Sequence, residues 1–374
     1  MTGCAGCQSC ERYDQKAVSL NGEAVFFWFR FAYTLGMVSV FGIGNPLIDV
    51  VFHASDEDLV VLGLDKGIMH LVSQDRQQEI LQHFSGKEPQ YHPGGSGPNT
   101  LLALAGLGTP GVICGKIGND GFGLTYDRQV RDYGITSRLV RGEGATGSSI
   151  ILVTDDGERT MNTHLGMCQE FGTADLDEPL LRETVRGGGI LYFTGYMWDT
   201  ETQKAAIRRA MAVTREEGGR IVFDLADPFA VERYRSDFLE LLGDWVDVVF
   251  ANGREAAILL DLEGDAAAGA LAEMVDTVAL KAGKDGSVLA WKDGDGALQF
   301  TRVGGNLVVP RDTTGAGDMY AAGFLAGMAR GFHRQRCGEI AGLLAEEIIQ
   351  RTGAQFDVAT ITSLRNGILG EGTV

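Results

Sequence analysis

Positive charge is scarce in this chain: 32 Lys and Arg stand against 50 Asp and Glu among 374 residues, a formal net charge of −18. Phosphate backbones are held by clustered basic side chains, so this balance excludes a sequence-independent nucleic-acid binder. It also requires any anion site to be positive locally. Cysteine is sparse as well. Six residues, at 4, 7, 10, 114, 168 and 337, are scattered over a long chain, which excludes a disulfide framework and suits a reduced, cytoplasmic protein. No G-x-x-x-x-G-K-[ST] string occurs, so phosphate binding by a P-loop is excluded. The histidines form no i, i+4 pair and receive no chemistry. No internal repeat or low-complexity linker interrupts the chain, and its length can bury a sizeable core in one main domain.

Long apolar runs are missing with one exception. From Ala24 to Gly44 the chain is nearly continuously apolar, long enough to raise the question of a membrane span. Arg30 lies inside that run, its end is needed for a first core strand, and no positive n-region precedes it as a secretory signal would require. No membrane association is therefore expected. Cys4, Cys7 and Cys10 have metal-like spacing but offer three thiols and no fourth ligand nearby. Residues 1–36 are expected to be a poorly ordered extension, with Met37 a natural start and the folded domain spanning 37–374.

Beyond Met37 short apolar runs alternate with amphipathic stretches, the pattern of an α/β fold with a mostly parallel sheet covered by helices. The predicted strands are 39–43, 111–117, 189–193, 220–225, 247–251 and 277–282. The predicted helices are 99–107, 200–217, 229–242 and 337–352. Two regions break the alternation. Residues 50–72 and 147–165 read as β-type segments without a helix of their own, and they predict a lid drawn from about 47–75 and 145–166.

The most informative string is Asp312-Thr313-Thr314-Gly315-Ala316-Gly317-Asp318. The apolar residues Ala321, Ala322, Phe324, Leu325 and Met328 recur behind it at helical spacing, so the glycine turn opens a helix. Unpaired N–H groups and the positive end of the helix dipole favour a phosphate there. Gly315 and Gly317 allow the backbone to curl around an anion, with the N–H groups of Gly315, Ala316 and Gly317 as its donors. A carboxylate beside that pocket would repel a phosphate, so Asp318 is read as the base that accepts the proton of an attacking hydroxyl. The plainer alternative is a capped helix after a tight turn.

With Val309 and Pro310 before it, this string resembles the C-terminal signature of the PfkB, or ribokinase-like, family of carbohydrate and nucleoside kinases. The resemblance runs from about Val38 onward. It implies a Rossmann-like three-layer α/β/α fold with a small β-sheet lid, and ATP-dependent phosphorylation of an exocyclic CH₂OH. Further motifs follow in the family's order. Gly42-Ile43-Gly44-Asn45-Pro46-Leu47-Ile48-Asp49 lacks the third glycine of a dinucleotide fingerprint. It resembles the adenosine kinase branch, which implies that Asn45 and Asp49 meet the acceptor and that Asp49 holds sugar hydroxyls. A carboxylate can accept both hydrogen bonds of a vicinal diol. The Pro93-Gly94-Gly95-Ser96-Gly97-Pro98-Asn99 turn is similar to the family's N-terminal signature, which assigns Gly94, Gly95 and Asn99 to the acceptor; capping is the ordinary role of such an asparagine.

Asn252-Gly253-Arg254-Glu255 resembles the family's N-x-x-E motif. It implies that Asn252 meets the nucleotide phosphates and that Glu255 acts on Mg²⁺ through a water; a carboxylate that merely stabilises a helix start is the alternative. Lys281 and Gly283, in Lys281-Ala282-Gly283-Lys284-Asp285-Gly286, resemble the nucleotide-binding turn, and Asp312, Thr313 and Thr314 join them on the ATP side. The Glu158-Arg159 turn of the lid is similar to adenosine kinases, where an arginine reaches the phosphates as charge moves; a solvated hairpin charge is the alternative. The resemblance thus implies ATP and Mg²⁺ as cofactors and adenosine as acceptor, with a PfkB sugar kinase as the alternative. Tyr196, in Gly195-Tyr196-Met197-Trp198, would face the base unless these are ordinary core aromatics. A monomer and a homodimer both remain open.

Overall fold

The computed structural model describes residues 37–369; the Cys4, Cys7 and Cys10 cluster and the expected extension over 1–36 lie outside them. The strands run, in chain order, β1 (Val40–Ile43), β2 (Leu47–His53), β3 (Met69–Leu71), β4 (Gln90–Gly94), β5 (Gly111–Gly118), β6 (Thr136–Gly142) and β7 (Ser148–Val153). They continue with β8 (Arg159–His164), β9 (Ile190–Thr194), β10 (Arg220–Asp224), β11 (Val248–Asn252), β12 (Thr277–Lys281), β13 (Ser287–Lys292) and β14 (Leu298–Val303). Nine of them form one sheet in the order β14-β13-β12-β11-β10-β9-β1-β5-β6. From β6 to β12 every pairing is parallel; β12, β13 and β14 close the edge antiparallel. Central strands such as Ile190–Thr194 are buried along their whole length, as a parallel sheet covered on both faces requires.

Two apolar layers flank this sheet. On one side Phe324, Leu325, Ile340 and Leu344, from the helices Ala316–Ala329 and Arg334–Ile349, pack with Leu101 and Leu104 of the helix Ser96–Gly106. On the other, Ile207, Met211, Phe238 and Leu259 pack against Phe193, Phe223 and Val249. Strand order reverses at β1, which lies between β9 and β5. In open α/β sheets ligands bind beyond the carboxyl ends of the strands at such a reversal.

The remaining strands form a second sheet, β3-β8-β7-β2-β4. Its polarity alternates: Ile48, Val50 and Phe52 of β2 are buried against Ile80 and Phe84, while Leu47, Asp49 and Val51 are half-buried on the opposite face. The predicted lid therefore exists as a sheet, with two corrections to its make-up. Residues 50–72 contain a helix, Asp56–Val61, set by a capping box in which Ser55 and Asp58 satisfy each other's backbone N–H groups. The sheet also gains β4, which pairs antiparallel with β2 from Gly94 to Gln90; the glycine turn that follows hid it in the sequence. Elsewhere the predicted helix over 229–242 is two helices, Pro228–Arg233 and Arg235–Asp244, because Tyr234 (φ −118°, ψ 26°) leaves helical geometry. The predicted 337–352 helix begins earlier, at Arg334, where the His333 ring caps it.

Candidate active site

Every candidate side chain of the main domain sits at the carboxyl edge of the large sheet or on the turns facing it. Asn45 follows β1, Tyr196 follows β9, Asp224 ends β10, Asn252 ends β11 and Lys281 ends β12, the last two directly paired. The helix Ala316–Ala329 points its N-terminus at this edge. Gly315 precedes it at φ 78° with no side-chain cap, and a Cβ there would stand 2.5 Å from the Ala354 carbonyl oxygen. Glycine is thus required by conformation and by space. The Ala316 N–H donates to Thr313 O at 3.3 Å and Met319 N–H to Gly315 O at 2.9 Å. Among the described residues the N–H groups of Gly315, Gly317 and Asp318 have no partner. Of the three donors expected from the sequence, Ala316 is therefore spent on the turn, and Asp318's own N–H takes its place.

Asp318 is held from the facing helix. Ser96 donates to Oδ1 at 2.6 Å and Asn99 donates its amide to Oδ2 at 2.9 Å. Burial pushes its carboxyl up to about 7, against the two hydrogen bonds that favour the anion. Asn99 also accepts a short hydrogen bond from Gln355. The residue expected to meet the acceptor thus first positions the base. Gly95, at φ 95°, lies so close to the Asn45 carbonyl that no Cβ fits.

Asp49 enters from the lid. A Cβ on Gly94 would lie 2.7 Å from Asp49 Oδ1, and no hydrogen bond to this carboxylate is formed among the described residues. Burial pushes it up to about 7, with Arg159 opposing and Asp318 adding to the rise. Asn45 is engaged within the protein: its amide donates to Tyr196 O at 3.0 Å and its oxygen accepts from Gln203 at 2.9 Å. Tyr196 donates to Asp227 at 3.1 Å and remains half-buried at the site, whereas Met197 and Trp198 belong to the core.

On the opposite side Arg159, at the start of β8, donates to Asp312 at 3.4 Å, and its Nε is buried without a partner. Asp312 also accepts from Thr314 N at 2.9 Å, Thr314 Oγ1 at 2.6 Å and Gly353 N at 2.8 Å. Burial works against ionisation of Asp312, yet these bonds hold its carboxyl below the ordinary range. Thr313 is exposed and contributes its carbonyl to the turn. Glu255 is 1% exposed, and both of its oxygens are taken by Asn252, at 2.7 Å from the backbone N–H and 2.7 Å from the amide. Asn252 in turn caps Glu255 N at 2.9 Å. Burial pushes the Glu255 carboxyl up to about 7, against Lys281. Gly283 adopts φ 60° in the turn after β12.

Three site residues escaped the sequence reading. Ser96 lay inside a motif singled out for other members, and Asp224 carried the signal of a carboxylate closing a strand at the sheet's carboxyl edge. Gln355 gave no signal, for only folding brings it across 256 positions to Asn99.

Residues 56–361 match the family described as pfkB family carbohydrate kinase. The chain belongs to that family, and is an ATP-dependent phosphotransferase acting on a small sugar or nucleoside alcohol. Its structure is similar to the adenosine kinase of Sinorhizobium meliloti, with 35% identity, a TM-score of 0.76 and coverage of 88% of this chain and 99% of that one. The adenosine kinase of Dictyostelium discoideum is 26% identical over 336 residues, 85% of this chain and 96% of that protein. The ATP-dependent ribose-1-phosphate kinase of Halopiger xanaduensis is 31% identical over 254 residues, 67% of this chain and 78% of that one. Among the described residues no helix is long and apolar enough to cross a membrane.

Proposed function

We propose that this kinase phosphorylates the 5′-hydroxyl of a ribonucleoside, adenosine first, with Asp318 as general base. The observation that carries the mechanism is the aim of Asp318: two donors from one helix hold its carboxylate at the N-terminus of another, beside three free N–H groups. The acceptor oxygen attacks the γ-phosphorus and its proton passes to Asp318. The bond from that phosphorus to the β-phosphate oxygen breaks, and ADP leaves. The N–H groups of Gly315, Gly317 and Asp318 receive the oxygens of the transferring group, fixed donors aimed at developing charge. Asp49, unpartnered and facing Gly94, accepts the 2′- and 3′-hydroxyls, and the second N–H of Asn99 lies on the same side. Tyr196 offers a ring edge to the base.

Mg²⁺ entering with ATP would offset the charge of the phosphates. Glu255, with both oxygens engaged by Asn252, fits a contact through coordinated water, and Asn252 stands beside it. Lys281, Gly283, Asp312, Thr313 and Thr314 form the nucleotide side.

Adenosine is favoured by the likeness to adenosine kinases over nearly their full length. The likeness to a ribose-1-phosphate kinase supports the sugar-kinase alternative. Steady-state assays with adenosine, ribose, ribose 1-phosphate, fructose and 2-keto-3-deoxygluconate decide between them. Adenosine should lead by at least about tenfold in kcat/KM. A sugar at the head of that order would overturn the nucleoside assignment and leave the role of Asp318 intact.

A further inference from the structure

Beside the glycine turn lies an ion pair between Asp224 and Lys281, a residue placed on the nucleotide side without a stated task. Lys281 Nζ donates to Asp224 Oδ1 at 3.1 Å and to Oδ2 at 3.4 Å, with side-chain exposures of 15% and 3%. Beyond its chain neighbours and its own helix, the nearest atom to a Cβ built on Gly317 would be Lys281 Nζ, at 3.5 Å. On its Cβ side Gly317 is thus faced, from outside its own helix, by one ammonium group. That ammonium has three donors and one carboxylate partner, so it keeps bonding capacity toward the turn.

Asp224 is itself fixed. Its Oδ1 accepts from Ala226 N at 3.2 Å. Ala226 sits at φ 66°, one of two non-glycine residues with positive φ among the described residues. Such a conformation costs free energy and persists where the surroundings impose it. The chain thus keeps a strained turn that bonds the carboxylate holding Lys281. Asp224, Glu255 and Asp318 all act on this ammonium. The second cation of the site, Arg159, is engaged with Asp312. Without Lys281 these groups around the turn would be carboxylates and an Arg159 already engaged with Asp312.

We propose that Lys281 is the fixed cation that binds the transferring phosphoryl group and that Asp224 is its positioning residue, a role that rests on the phosphotransfer mechanism proposed for this site. In the free protein Asp224 neutralises and aims the ammonium. When ATP is seated, a spare N–H of Lys281 turns to a γ-phosphoryl oxygen over Gly317 and keeps that contact as the group passes to the acceptor. Bond making and breaking are unchanged: the acceptor O–P bond forms, the P–O bond to ADP breaks and the proton goes to Asp318.

The test uses the full chain and compares Lys281→Met, Lys281→Arg and Asp224→Asn with wild type. Calorimetry would measure binding of ADP and of the β,γ-imido analogue of ATP, both with Mg²⁺. Turnover would be measured at saturating substrates. Lys281→Met should lose about 10²- to 10³-fold in kcat. It should bind the analogue no better than ADP while its affinity for ADP stays within about twofold of wild type. Lys281→Arg should recover part of the preference for the analogue. Asp224→Asn should slow turnover by about tenfold without weakening the analogue, since the carboxylate no longer competes for the ammonium.

Equal loss of ADP and analogue affinity in Lys281→Met and Asp224→Asn, with lowered melting temperatures, would reduce the pair to structural support and overturn the proposal. So would wild-type turnover in Lys281→Met. If Lys281→Met does not fold, the analogue-to-ADP ratio of the other two variants decides between the same outcomes. The binding comparison needs no acceptor, so a wrong acceptor assignment leaves it standing. A wild type that binds neither nucleotide would sink the kinase reading along with it.

Discussion

Asp318 combines two demands that conflict in a simple carboxylate. It must be ionised to take a proton, yet be basic enough to want one. Burial raises its proton affinity, and the Ser96 and Asn99 donors keep it oriented and compatible with the anion. Asp318→Asn keeps the shape of the side chain and removes the basic oxygen. Turnover limited by chemistry should fall by about 10²- to 10⁴-fold, with KM for ATP and acceptor nearly unchanged. A variant that retained wild-type single-turnover rates would show that the proton goes elsewhere. The neighbouring Asn99, expected to meet the acceptor, also gives one N–H of its amide to the base.

At the scale of elements, the helix Gly253–Leu260 separates structural from chemical work. Its capping box spends both oxygens of Glu255 on Asn252. Glutamine can keep the bond from the Asn252 N–H but turns its NH₂ toward the Asn252 amide donor, so Glu255→Gln should lower the melting temperature modestly. It should also raise the Mg²⁺ concentration for half-maximal rate, because an amide orients metal-bound water less well. Glu255→Ala should lower the stability too, by about 1 kcal/mol for the lost cap. An unchanged Mg²⁺ titration in Glu255→Gln would leave the residue a helix cap alone. The sequence made such elements legible where periodicity is strong: the central strands and the glycine turn fall within a residue or two of expectation. It failed at β4, Gln90–Gly94, and at the break of 229–242 by Tyr234. A two-faced edge strand running into glycines has no clean alternation, and one residue leaving helical geometry barely disturbs a helical pattern. The same limit applies to the site: residues clustered in motifs could be read, and Gln355 and the Asp224–Lys281 pair, joined only by tertiary folding, could not.

For the whole molecule, the crowding of acid groups at the carboxyl edge sets the response to pH. Asp49 and Asp318 are both pushed up to about 7 by burial. Below that pH they hold protons, so the base is blocked and the diol loses its acceptor. kcat/KM should therefore fall as pH drops through about 7, by about tenfold or more per unit once both groups are involved. Asp49→Asn should make the limb shallower. A flat profile between pH 5 and 8 would contradict the assignment of both carboxylates. The bridge from Arg159 to Asp312 has a broader consequence, because it fastens the sheet that carries Asp49 to the loop that carries the glycine turn. The acceptor's enclosure and the nucleotide's anion donors are thereby tied together at this contact, as they also are by the Gln355 amide donating to the Pro93 carbonyl. By linkage, whatever factor ATP adds to acceptor affinity through that contact, the acceptor must return to ATP. The order in which the two substrates load can then vary with concentration, while the share of their coupling carried by Arg159 and Asp312 is the same from either side.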